Sequence, residues 1–133
     1  MSDPVLSAYR ERSRLETAFT GPLRDAVARV PGARGAVFLD GEGEAVDEVA
    51  QIPTMEIRIL GAHLGILVAL FKEHAAILGA PQELVLETER ATLVVRAIDE
   101  RYIVALEAGP EASLGLLRRE LAAAVDRIRA ELA

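Results

Sequence analysis

The residues able to do chemistry are few, and their spacing argues against a catalytic centre. Cysteine is absent, which excludes thiol nucleophiles, cysteine-ligated metals and disulfides. The four serines, Ser2, Ser7, Ser13 and Ser113, lack the glycine-flanked strand-to-helix setting that exposes a nucleophilic hydroxyl. His63 and His74 fall in one helical stretch but eleven positions apart. At about 1.5 Å of rise per residue they lie about 16 Å apart, too far to share one metal ion within a chain. A symmetric pair of helices would be needed to bring two copies of His63 together; an interface or core histidine is the simpler reading.

The run Gly41-Glu42-Gly43-Glu44 has glycines like a phosphate loop, but no third glycine follows at the required spacing and no helix begins there. Asp40, Glu42 and Glu44 alternate as calcium ligands do, yet the sixth loop position is Ala45 instead of glycine and the twelfth is Gln51 instead of glutamate. A hairpin turn accounts for the whole segment. Asp47 and Glu48 are neighbouring carboxylates on a strand edge or loop, where solvation explains them. No catalytic, metal or cofactor site is expected.

Composition narrows the partners. The chain has 133 residues, enough for one domain with one core. Hydrophobic residues make up 51% and aromatics only 4%, so Leu, Val, Ile and Ala must build that core. A mean hydropathy of +0.24 points to more apolar surface than one protomer can hide. The net charge of −6 disfavours nucleic acid, whose recognition rests on clustered Lys and Arg. The one basic cluster, Arg10, Arg12 and Arg14, is interrupted by Glu11 and reads as a solvated helix face. Met1-Ser2-Asp3-Pro4 is not the start of a secretory signal, so a cytoplasmic location is expected. The longest apolar stretch, Ile59 to Phe71, is shorter than the roughly 18 to 20 residues of a transmembrane helix, and no membrane span is expected. Lys72 is the sole lysine, and the Arg, Ala and Leu richness is that of a GC-rich bacterial genome.

Punctuation divides the chain into elements. Ser2 or Asp3 can cap a helical extension over Val5 to Phe19, and Thr20 or Gly21 caps a second helix reaching about Val30. Gly35 to Leu39 and Ala45 to Val49 form a hairpin about the acidic turn. A long helix follows from a cap at Thr54 to about Leu78. Three strands, Glu83 to Thr88, Thr92 to Ile98 and Tyr102 to Glu107, are linked too tightly for crossovers and must run antiparallel. A last helix carries the stripe Leu114, Leu117, Leu121, Val125, Ile128 and Leu132. Strands this apolar need helices on both faces, which predicts an α/β fold, α-β-β-α-β-β-β-α, as a three-layer sandwich on one five-stranded antiparallel sheet.

The long central helix has two apolar arcs, one of Leu60, Leu64, Leu67 and Phe71, the other of Met55, Ile59, Ile66, Leu70 and Ile77. One arc can cover the sheet, and a second copy of the chain is expected to meet the other. Gly61, Gly65 and Ala69 form a third strip, which would let another backbone approach, or would let the helix settle on its own sheet.

Gly32 to Asp40, with the turn and Glu44-Ala45-Val46 after it, resembles the first hairpin of the Roadblock/dynein light-chain family. The small-residue helix around Leu60 to Leu70, the strands Glu83 to Thr88 and Tyr102 to Leu106, and Ala112-Ser113-Leu114-Gly115 opening the last helix extend the resemblance over Thr20 to Leu132. It implies a Roadblock-like domain over 20–133 preceded by an extension over 1–19, and a homodimer or a heterodimer with a paralogous Roadblock protein. Two sheets would join edge to edge with the central helices side by side. In that family the paired helices are a platform for Ras-like small GTPases, and a bacterial branch activates a polarity and motility GTPase by remodelling it, without contributing an arginine. The platform would here be Ile59, Ala62, His63, Ile66, Ala69, Leu70 and Glu73. Three readings stay open: a GTPase regulator sensitive to nucleotide state, a structural adaptor insensitive to it, and an enzyme, which would need a polar pocket.

Overall fold

A computed structural model describes residues 16–133. The first helix, α1 (Thr20–Arg29), buries Pro22, Leu23, Ala26 and Val27 at the helical spacing expected. Thr20 is not its cap. That position is Phe19, and the buried Thr20 hydroxyl instead accepts from the Thr17 amide at 2.9 Å and donates to the Asp47 carboxylate. The expected extension falls mostly outside the described residues; its described end, 16–19, is a turn instead of helix. Phe19 closes that turn onto the core, its ring 4.8 Å from that of Phe38.

Strands β1 (Ala33–Asp40) and β2 (Ala45–Ala50) form the expected hairpin. Its turn is held by the Asp40 carboxylate, which accepts from the Glu42 and Glu44 amides at 2.9 and 3.1 Å, with Gly43 at φ +84°. Asp40 is thereby committed to its own backbone. Strands β3 (Glu83–Glu87), β4 (Thr92–Ile98) and β5 (Tyr102–Ala108) form the meander. β5 pairs antiparallel with β1 along its length, so the sheet runs β2-β1-β5-β4-β3.

Period-two alternation sorts the strands onto two cores. Ala36, Phe38, Val94, Val104 and Leu106 face α1 and the last helix, α4 (Leu114–Leu132), while Val37, Leu39, Leu93, Val95, Ile103 and Ala105 face the central helix, α2 (Thr54–Lys72). Helix α4 buries Leu117, Leu121, Val125 and Ile128 of its stripe and leaves Arg118, Arg119, Asp126, Arg127 and Arg129 exposed. Ser113 caps it, accepting from the Leu116 amide at 3.2 Å. The three-layer α/β sandwich is therefore the fold expected from the sequence.

The central helix is shorter than its apolar pattern suggests. It begins at Thr54 after Pro53, and it ends at Lys72. The Glu73 amide still bonds Ala69 O, but the His74 amide turns to Phe71 O at 3.1 Å, tightening the last turn. A short helix, α3 (Ala75–Leu78), follows and Gly79 ends it at φ +80°. No proline or glycine marks the break at Glu73 and His74; the chain must turn back there to enter β3. The Lys72 ammonium donates to Glu100 O at 2.9 Å, tying the end of α2 to the β4–β5 turn.

Candidate functional site

Helix α2 sets the geometry of the site. Its sheet-facing stripe is Ile57, Gly61, Leu64 and Val68, all buried, spaced by three and four residues. Gly61 is what allows that seating: a Cβ there would stand 3.0 Å from Leu39 Cδ1 and 3.2 Å from Val37 Cγ1. The small strip thus serves the chain's own sheet at Gly61, and at Gly65 it faces Gly43 of the hairpin turn, 3.7 Å from where a Cβ would be. Only Ala69 of the strip is open.

The buried stripe also redraws the expected arcs. Of the first, Leu64 is buried and Leu60 partly so, but Leu67 and Phe71 are 41% and 42% exposed. Ile57 and Val68 take their place under the helix. The second arc is bare throughout: Met55, Ile59, Ile66, Leu70 and Ile77 are all exposed, Ile66 at 65%. At about 100° per residue, Ile59, Ile66 and Leu70 point directly away from the sheet, with Ala62 and His63 on either side.

Six of the seven platform residues, Ile59, Ala62, His63, Ile66, Ala69 and Leu70, therefore come together on one exposed helical face. Glu73 is exposed but sits past the last helical residue, at the cap.

One ion pair ties α2 to the sheet, and a second is buried between two strands of it. Glu48, expected in solvent, is 4% exposed on β2 and accepts from Arg58 Nε and Nη2 at 3.0 and 2.9 Å, fastening the start of α2 to the edge of the sheet. Asp47 is engaged too, accepting from Thr17 and Thr20. Glu107 is 3% exposed and accepts from Arg34, whose Nη2 also donates to Arg90 O at 3.0 Å. Burial pushes the Glu107 carboxyl up from its ordinary value, against the opposing pull of the Arg34 hydrogen bond and charge.

A further exposed apolar region was not foreseen. Among the described residues strand β3 bonds only to β4, which leaves its other edge open, and Val85 and Leu86 are 42% and 43% exposed. Register places Leu84 and Leu86 opposite Val95 and Leu93, on the α2 face of the sheet. Leu67 and Phe71 lie on the flank of α2, and Leu78 in α3 is bare as well. The alternating Leu84 and Leu86 carried a signal for a covered face; only the strand order reveals that β3 is an edge.

On the opposite flank an open groove separates α2 from the β1–β2 turn, lined by Gly41, Glu42, Gly43, Ala62, Gly65 and Ile66. Among the described residues no cluster of three or more His, Asp or Glu is placed to hold a metal ion, and no helix is long and apolar enough to cross a membrane.

No family model and no curated protein matches the sequence. Solved structures do match the fold. A Roadblock/LC7 domain from Streptomyces avermitilis superposes with a TM-score of 0.76 at 23% identity, covering 84% of this chain and 95% of its own. Myxococcus xanthus MglB superposes at 0.78 with 17% identity, covering 87% of this chain and 95% of its own. The gliding protein MglB of Thermus thermophilus superposes at 0.76 with 22% identity, covering 87% and 90%. At these identities the likeness is one of fold.

Proposed function

Taking the Roadblock/LC7 fold as the premise, we propose that the chain is a non-catalytic module that pairs with a second copy or a related Roadblock chain and presents α2 as a platform for a Ras-like small GTPase. The observation that carries this reading is the outward face of α2. Its sheet-facing stripe and the Arg58–Glu48 pair fix the helix, while Met55, Ile59, Ile66 and Leu70 stay 50 to 65% exposed on the other side. A contiguous apolar surface on a rigid element marks a protein interface.

Two surfaces suit two partners. The open edge of β3, with Leu86 beside it and Leu67 and Phe71 on the near flank of α2, suits pairing between copies, because an unpaired edge offers main-chain donors and acceptors to another strand. That pairing leaves Ile59, Ile66 and Leu70 free to meet the GTPase. One of the solved MglB structures has a tetrameric arrangement, which is in keeping with a fold that self-associates.

GTPase switch regions change with the γ-phosphate, so a platform that reads them must bind the GTP-analogue and GDP states with different affinity. Calorimetry against the small GTPases of the same organism in both states tests this. A clear difference between states is the expected result. Equal affinity, or no binding, would favour the structural adaptor.

A further inference from the structure

We propose that Asp47 closes the β2 edge of the sheet to strand pairing, so that another chain can extend the sheet only from β3. The open sheet ends in two edge strands, β2 and β3, and an edge strand offers its outward main-chain groups to any strand that comes alongside. Hydrogen-bond alternation identifies those groups. The Gln51 amide bonds Arg34 O at 2.7 Å, and the pairs Val49–Ala36 and Asp47–Phe38 follow at steps of two, so these residues turn their main chain towards β1 and Glu48 turns its amide outward. That amide is already taken: it donates to Asp47 Oδ1 at 2.8 Å.

The carboxylate is held in position to do this. Its other oxygen, Oδ2, accepts from Thr17 Oγ1 at 2.7 Å and from the hydroxyl of Thr20, a residue 2% exposed. The two threonines are fixed in turn: the Thr17 amide donates to Thr20 Oγ1 at 2.9 Å and the Phe19 amide to Thr17 Oγ1 at 3.1 Å. A strand arriving beside β2 would have to displace the carboxylate from the Glu48 amide and pull it off both hydroxyls, burying a charge without partners. Two further features act in the same direction. The register slips between Phe38 and Leu39, leaving Val46 as an extra residue that bulges the edge, and Glu48 carries a second charge onto the opposite face, against Arg58. The β3 edge differs. Glu83 is drawn to Arg96 and Arg118 at 2.9 and 2.6 Å. Leu84 and Leu86 bond β4, so Val85 turns its main chain outward, with no side chain on its amide among the described residues.

Pairing of copies through β3 belongs to the functional reading above; the closing of β2 does not rest on it. In sedimentation velocity the wild-type size reports on β3, and the change from wild type to variant reports on β2. Asp47→Asn keeps an oxygen for the Glu48 amide and an NH2 group for the threonine hydroxyls, and should sediment as the wild type does. Asp47→Val keeps the shape without the acceptor, and should form larger, concentration-dependent species whatever the wild-type size. In dilute solution its Glu48 amide should exchange hydrogen roughly tenfold faster than in the wild type, while the inward Val49 amide keeps its protection and so reports an intact fold. An Asp47→Val protein that stays at wild-type size or keeps the wild-type Glu48 rate overturns the proposal, as does an Asp47→Asn protein that grows like it. If Val49 also loses protection in Asp47→Val, the comparison passes to Thr17→Val, which removes one hydroxyl from Oδ2. An unchanged Glu48 rate in that variant overturns the proposal too, and a faster one supports it.

Discussion

At the scale of single residues, the two glycines of α2 separate cleanly. Gly61→Ala should weaken the fold, because its Cβ would press on Leu39 and Val37 at 3.0 to 3.2 Å and lift the helix from the sheet. Overpacking of this kind costs about 1–3 kcal/mol, only partly offset by the roughly 1 kcal/mol that Ala gains over Gly in a helix. Gly65→Ala meets Gly43 at an ordinary 3.7 Å and should be neutral or stabilising; urea denaturation of both variants checks the contrast. Glu107 gives a pH signature. Its folded pKa lies above the ordinary value of 4.5 because it is buried, so the folded state holds its proton more tightly than the unfolded one. The associated stability is present below 4.5 and is lost as pH rises through the folded value. Glu107→Gln should therefore flatten the melting profile just above pH 4.5, as read by thermal scans. Asp25 works oppositely: the Arg127 hydrogen bond lowers its pKa, and its contribution is lost as pH falls below the ordinary 3.8.

At the scale of elements, the entry to α1 sets the boundary of the folded unit. Phe19 stacks on Phe38, which in turn meets Tyr102 at 5.2 Å, so Phe19→Ala should cost about 1–3 kcal/mol, less than a fully buried phenylalanine because it is partly exposed. Thermal unfolding should show a drop of several degrees. Deleting residues 1–15 should instead shift stability by less than about 1 kcal/mol, because it spares both Phe19 and the Thr17–Asp47 bond. A cut after Ala18 would sever that bond. The elements themselves were largely legible, because glycine and proline punctuate them and apolar periods of two and 3.6 fill them. The end of α2 was not. Its apolar pattern runs past Lys72 without a breaker, and the turn at Glu73 and His74 is imposed by the path into β3.

At the scale of the whole molecule, the prediction is that folding and association respond to different residues. Ile66 is 65% exposed, so Ile66→Asp should leave the protomer's urea midpoint nearly unchanged while weakening partner binding. Leu67→Asp, on the flank beside β3, should instead convert the associated form to monomer in light scattering at micromolar concentration, since a carboxylate there would be buried without a partner. Glu73→Lys should change partner affinity with little effect on melting, because Glu73 is exposed. The sequence by itself determined the layers and the faces. Alternation and helical stripes dictate which side chains seek cover, and one sheet covered on both sides by helices is the arrangement that satisfies them. The sequence also determined the absence of thiol chemistry and the apolar arc of Ile59, Ile66 and Leu70 that no strand of the sheet covers. Strand order and helix rotation were decided only in the tertiary structure. The β1–β5 pairing joins segments far apart in the chain and leaves β3 as an open edge, and no local pattern encodes it. The rotation of α2 follows from the fit of Gly61 over Leu39 and Val37, which selects Ile57 and Val68 for burial and turns Leu67 and Phe71 outward. Both outcomes depend on contacts between residues distant in sequence, whose closeness exists only once the chain has folded.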